Sequence, residues 1–369
     1  MDIGKLLRIS TVCVGLVANL ACAGEPAFRF LAIGDLPYSE AEDIQLRKLL
    51  KQSEQEDFAF LIHVGDIKSG GDPCSDTLLE NMRELFQNYP KPVVYSIGDN
   101  EWTDCRSTGG NPIEQLAKLR RRFFQDRDVL RLQELQTKHQ SDCAQFTPYV
   151  ENYRFTKSGV LFVVIHVCGS SNNKHTSDPA SMKEFTARNA ANMAFLEESF
   201  QRALEKQHAS VVIVMHANPD FENRQADGFQ ETIALIQDFV AEYPGPVVCI
   251  HGDSHQHRID QPLRNDGGEV CRNFTRMEVF GAPNVVGVAA TVDPNDPEIF
   301  HFEPYTLPAA PDNKCVQEVC EPRRENCPGR AGRGRVQFPR LWKAPQRRTW
   351  QLLSSTAIQQ RCPEIDGRQ

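Results

Sequence analysis

Beyond its first two dozen residues, this 369-residue chain has no apolar run near the ~20 residues that a membrane-spanning helix needs. No retained span and no membrane partner are therefore expected. There is no internal repeat, which leaves out solenoids and propellers. A one-sided charge is missing as well: 41 Lys plus Arg stand against 49 Asp plus Glu, a net −8. From Ala309 onward 12 basic residues face 6 acidic ones, but the GRAGRGR run holds no aromatic and the tail has no helical or strand period. A nucleic-acid role for its GRAGRGR run is thus weaker than a solvated, poorly ordered extension over 308–369.

What is present begins with a leader. Lys5 and Arg8 precede an apolar stretch that ends in Ala21, Cys22 and Ala23, the pattern of a signal peptide over 1–23 cut after Ala23. Asn19 stands three before Cys22, where a lipidation site wants an aliphatic residue. Removing the leader takes away Cys13 and Cys22 and leaves ten of the 12 cysteines, an even number that suits disulfides in a secreted or periplasmic protein. Cys74 and Cys105 are the favoured pair, since each lies in a loop expected at the same sheet edge. Cys168 and Cys249 sit in or at the end of apolar strand runs and read as buried thiols.

Between Phe28 and Leu307 short β-branched runs alternate with amphipathic helices. Strands are predicted at Phe28–Ile33, Phe58–Val64, Val93–Ile97, Val160–Val167, Val211–Met215 and Val247–Ile250, each apolar on successive residues as for strands buried on both faces. Helices are predicted around Ile44–Leu50, after a capping Ser75 or Asp76, from Asn111-Pro112, over Phe185–Gln207 and over Gln230–Glu242. After Gly252 only strand-like pieces follow, at Cys271–Phe280, Val285–Val292 and Ile299–Tyr305. The expected fold is α/β, a four-layer αββα sandwich of two mixed sheets flanked by helices, over residues 24–307. The polar stretch Leu130–Tyr149 reads as a surface excursion over the site.

Five times an apolar run stops at metal-ligand residue types: AIGDLPY at Asp35, HVGD at Asp66, SIGDNE at Asp99, VIVMHAN at His216 and CIHGDSHQH at His255. In a sheet of this kind such strand ends gather in one crevice. Carboxylates and imidazoles there can hold a pair of cations that activate water against a phosphoester.

In their order these segments resemble the blocks of the calcineurin-like metallophosphoesterase superfamily, which includes the purple acid phosphatases. Those blocks are Asp-x-His, Gly-Asp, Gly-Asn-His-Asp/Glu, a His after a strand, and Gly-His-x-His. The resemblance covers Phe28 to Tyr305 and implies two divalent or trivalent metal ions, Mn, Fe, Mg or Zn. Asp35, Asp66 and His255 would hold one, and Asp66, Asp99, His216 and Asp253 the other. It also implies a phosphate-ester substrate, mono- or diester, hydrolysed by a metal-bound hydroxide with Asp66 as the bridging carboxylate. Asn100 is given a catalytic and substrate-binding place, and Arg276 a phosphate-binding one. Lys68, Arg106, Asn172 and Asn173 are further candidates for holding phosphate.

The sequence departs from that pattern at four places. Pro37 replaces the first-block histidine, with Tyr38 beside it as a possible phenolate. Asp99 replaces an asparagine ligand, Asn100 the general-acid histidine, and Asp253 the first histidine of the last block. His63, His166 and His251 read as packed histidines and Glu101 as an orienting group. His257 is a weaker candidate than His255 for the last ligand place. Loss of the acid leaves open a degenerate fold that only binds, and Ser254 in GDSH raises a serine esterase, which would leave the three aspartate segments unexplained.

Overall fold

The computed structural model describes residues 25–222 and 227–308; the leader and the basic tail lie outside the described residues. The elements run β1 (Phe28–Ile33), α1 (Glu40–Ser53), β2 (Phe58–His63), α2 (Asp76–Asn88), β3 (Val93–Tyr95), α3 (Pro112–Leu119), β4 (Lys138–His139), β5 (Tyr153–Lys157) and β6 (Val160–Val164). They continue with α4 (Pro179–Glu205), β7 (Ser210–Val214), α5 (Gln230–Glu242), β8 (Val247–His251), β9 (Arg258–Asp260), β10 (Phe274–Glu278), β11 (Gly287–Val292) and β12 (Phe300–Tyr305). Helix starts follow side-chain capping. Ser39, Ser75 and Asn111 each accept a backbone N–H of the first turn, and Pro112 takes the first helical position. Helix α4 begins six residues before the expected Phe185, because Asp178 accepts from Ala180 and Ser181 and Pro179 follows it.

One sheet orders its strands β12-β11-β1-β2-β3, and the other β4-β5-β6-β7-β8-β10-β9. Both are mixed: β1, β2 and β3 run parallel, as do β6, β7, β8 and β10, while β4, β5, β9, β11 and β12 pair antiparallel. Successive residues of β6 explain its unbroken apolar run. Phe162 and Val164 face the core between the sheets, and Leu161 and Val163 face α4 and α5. Between the sheets Phe30 stacks on Phe60 at 5.3 Å and meets Phe162 edge-on at 5.8 Å. Helices α1 and α2 cover the first sheet through Leu46, Leu49, Leu79 and Phe86. The layers are therefore αββα.

The stretch Leu130–Tyr149 is not laid over the site, as expected from its polarity. It carries edge strand β4, paired to β5, and buries Leu130, Leu132, His139 and Gln140. Gln140 donates to Ala191 O on α4, so the segment closes the far edge of the second sheet. Cys74 and Cys105 are disulfide-bonded, with Cα atoms 5.7 Å apart, and tie together the loops after β2 and β3. Cys168 and Cys249 are buried thiols. No helix of the described residues is long and apolar enough to cross a membrane.

Candidate metal centre

The parallel strands of both sheets end at one edge, and the sequence places its acids and imidazoles just past those ends. Asp35 follows β1, Asp66 follows β2, Asp99 follows β3, His216 follows β7 and Asp253 follows β8. Asp35, Asp66 and Asp253 leave their strands in the left-handed region, at φ 54°, 55° and 77°. Aspartate tolerates that region better than most residues, and backbone held there is frequent at functional sites.

His216 sits at the middle of the cluster. Its Nε2 is 2.9 Å from Asp99 Oδ1, 3.4 Å from Asp66 Oδ1 and 3.8 Å from Asp253 Oδ1, and its Nδ1 is 4.0 Å from Asp35 Oδ1. Nδ1 lies 2.8 Å from the carbonyl of Val64, which can only accept, so Nδ1 carries the proton and Nε2 faces the acids. Two sets of donor atoms lie close enough to share a cation: Asp35, Asp66 and His216, and Asp99, His216 and Asp253. His255 stands beside the first set. Its Nδ1 donates to Ala282 O at 2.7 Å, the amide of Ala282 binds Asp35 O, and its Nε2 is left as a donor atom.

Burial makes this arrangement costly without a cation. It pushes Asp35 up to about 6 despite His216 and His255, raises Asp66 well above the usual carboxylate range and raises Asp253. Burial alone would lower His216, but Asp66, Asp99 and Asp253 raise it well above an ordinary histidine. A proton on His216 is thus the counter-charge that the chain itself can supply, and a metal cation would supply the same charge in its stead. The backbone leaves space for one. A Cβ at Gly169 would come within 2.5 Å of Asp253 Oδ1 and 2.8 Å of both Asp99 oxygens, and one at Gly252 within 2.3 Å of Asp35 Oδ2. The residues present therefore fit a pair of cations: deprotonatable donors, fixed imidazole tautomers and a cradle clear of side chains.

Around the donors a ring of hydrogen bonds fixes each carboxylate. Asp253 N donates to Asp35, Asn218 N to Asp253, and Asn100 N to Asp66 Oδ1 at 3.0 Å. Tyr38 donates its phenol to Asp66 Oδ2 at 2.8 Å and accepts from Asn100 Nδ2 at 2.9 Å. Glu101 accepts from Asp66 N, Gly98 N and Tyr95 OH through Oε1, which holds the turns, while its Oε2 is buried without a hydrogen-bond partner. His63 and His251 are buried and pushed down to about 3, and His166 to about 4, first of all by burial. They pack as neutral rings. His257 gives Nδ1 to Glu278 O and stacks on Phe280 at 3.9 Å.

Arg276 is a correction. Its guanidinium is fully buried between Asp260, at 2.6 and 2.7 Å, and Glu222, at 2.6 and 3.2 Å, which leaves it no donors directed at the cluster. Arg106 is engaged by Asp178 and Ser181, Asn173 by Thr103 and Glu184, and Lys68 by Ser69 O. Ser254 gives its hydroxyl to Glu278, not to a histidine, which removes the arrangement a serine nucleophile needs.

Two functional groups escaped the sequence reading. Ser170 places its hydroxyl 2.7 Å from Asp99 Oδ2 and 2.6 Å from Asp104 Oδ1. It belongs to four consecutive left-handed residues, Ser170, Ser171, Asn172 and Asn173, which follow Gly169. Arg188, fully buried on α4, holds that turn by donating to His166 O, Asn172 Oδ1 and Asn172 O, and pairs with Glu184. The run Gly169-Ser-Ser-Asn-Asn after an apolar strand was the available signal.

The model of the calcineurin-like phosphoesterase family matches residues 28–257. The chain belongs to the calcineurin-like phosphoesterase family. Calcineurin-like phosphoesterases act on phosphate esters and take two metal ions, in keeping with the grouped donors at this edge. A dimetal phosphatase from Danio rerio is similar in structure at 14% identity and TM-score 0.48, over 71% of this chain and 92% of that one. Vacuolar protein sorting 29 from Cryptosporidium parvum is similar at 12% identity and TM-score 0.26, over 76% of this chain and 99% of that one. No curated protein matches the chain.

Proposed function

We propose that this protein is an exported, metal-dependent phosphoesterase. The reading is carried by the burial of three aspartates around His216, an arrangement whose charge is balanced best by cations. Asp35, Asp66 and His255 would hold one ion, and Asp66, Asp99, His216 and Asp253 the other. Bound there, the pair would lower the pKa of a water molecule and offset the charge that builds on the phosphoryl oxygens. The chain's own groups do the rest. Asp66 is fixed by Tyr38 and Asn100 N–H, and Ser170 and His216 orient Asp99. Asn100 turns its amide toward the same side as Tyr38. In the net reaction the water oxygen forms a new bond to phosphorus, the ester P–O bond breaks, and the departing alcohol takes up a proton. Asn100 has no proton to give, which favours esters whose alcohol leaves easily.

Elemental analysis of the purified mature protein should find two metals per chain. Turnover of p-nitrophenyl phosphate or its bis ester should disappear on chelation, return with Mn, and be absent from Asp66→Ala. The second reading, a fold that only binds, rests on the same Asn100. Metal-free, folded and inactive protein would establish it and end the catalytic proposal.

A further inference from the structure

A cleft of about 230 Å³ opens between α1 and α2 and is lined in part by Tyr38, Ile67 and Met82. Tyr38 is common to the cleft and to the metal centre, since its phenol binds Asp66, and Ile67 is the next residue after Asp66. Asn100 occupies the position at which the family keeps the acid for the leaving group, and its amide reaches Tyr38 at 2.9 Å. The Tyr38 side is therefore the leaving-group side.

The charge at the cleft is lopsided. Asp43 is neutralised by Arg47 at 2.8 Å; Glu40 and Asp72 line the cleft as exposed residues with no ion pair among the described residues, and the buried Lys68 lies near enough to attract Asp72, which leaves Glu40 as the least compensated charge. Resting on the phosphoesterase reading, we propose that this cleft receives the alcohol portion of the ester and selects cationic alcohols over those bearing further negative charge. An ammonium group would gain from Glu40 and Asp72 and from the face of Tyr38, whereas a second phosphate or carboxylate would be repelled.

A matched pair of substrates tests it: 4-(trimethylammonio)phenyl phosphate and 4-carboxyphenyl phosphate. Comparing each variant with the parent protein on the same two esters cancels their intrinsic reactivity. Asp72→Lys should lower the cationic-to-anionic ratio of kcat/KM about tenfold or more, mainly through KM, and Asn81→Trp, an exposed lining position, should raise KM for both. An unchanged ratio in Asp72→Lys with KM unchanged in Asn81→Trp overturns the cleft proposal while leaving the phosphoesterase intact. Calorimetric binding of 4-(trimethylammonio)phenol separates the two ideas. If the metal-loaded protein hydrolyses neither ester, binding that depends on Asp72 keeps the cleft and sinks the hydrolase, and absence of binding sinks both.

Discussion

On the family's pattern Asn100 stands where a group that can lend a proton is expected; its amide can only hold a hydrogen bond, and Tyr38 receives that bond. Burial, and then Asp66 and Asp35, push the Tyr38 phenol far above its ordinary range, so it keeps its proton. Positioned general acids contribute on the order of 10²- to 10⁴-fold. Asn100→His should therefore raise turnover of alkyl phosphates at least roughly tenfold within that range, while p-nitrophenyl phosphate, whose alcohol leaves without help, changes little. Equal gains on both substrates, or none on the alkyl ester, would count against Asn100 as the residue that restricts leaving groups. The same reasoning makes Asp66 the most sensitive donor, because three neighbouring groups, Tyr38, Asn100 and Glu101, are arranged around it.

At the scale of elements, the turn from Ser170 to Asn173 is the least comfortable piece of backbone at the centre. Left-handed conformation costs an L-residue roughly 1–2 kcal/mol, and four in succession need support from outside. Arg188 provides it by bridging His166 O, the Asn172 side chain and the Asn172 carbonyl, with Glu184 as its counter-charge and Trp102 under its guanidinium at 5.3 Å. Arg188→Met leaves the largely buried Glu184 without its counter-charge, with only Asn173 still donating to it, and denaturant unfolding should show a loss of roughly 3–5 kcal/mol. Ser170→Ala keeps the fold and removes only the hydroxyl on Asp99. Metal titration should then show one of the two ions bound roughly 10- to 100-fold more weakly, the usual cost of losing a group that orients a ligand. Equal weakening of both ions would place Ser170 elsewhere in the scheme.

For the whole molecule, buried carboxylates make stability depend on pH in a definite direction. Asp35 is raised from 3.8 to about 6, so its contribution to the metal-free fold is fully present below 3.8 and is lost as pH rises through about 6. Asp66 and Asp253 act in the same sense. Cations bound at this cluster would hold these groups ionised and take the place of the proton on His216, so binding would release protons and strengthen with pH. The rise in Tm on adding Mn should be small near pH 4.5, grow through pH 6 as Asp35 ionises and go on growing above it while Asp66 and His216 still carry protons, as followed by calorimetry. A rise independent of pH would mean that these carboxylates are not the ligands. The buried neutral histidines His63, His166 and His251 cost stability below about pH 6.5 in both forms, so they drop out of the comparison.

Sequence alone determined what depends on local rules. β-Branched runs buried on both faces, capped helix starts and acids placed just past strand ends are all visible along the chain; they carried the layers and the Cys74–Cys105 pair, while the division of the acids into two ligand sets came from the resemblance to the family. The strands that escaped notice, β4, β5 and β9, are antiparallel strands at or next to the edges of the second sheet, for which a continuous apolar run is not required. Arg276 shows where residue type misleads: a cation near the last block looked able to hold phosphate, but Asp260 and Glu222 take its donors once β10 pairs with β9. Ser170 and Arg188 stand 71 and 22 residues from the groups they hold, Asp99 and His166, so only the packed structure joins them. The tertiary fold decided the rest because a hydrogen bond or an ion pair is settled by distance in space, which neither residue type nor spacing along the chain records.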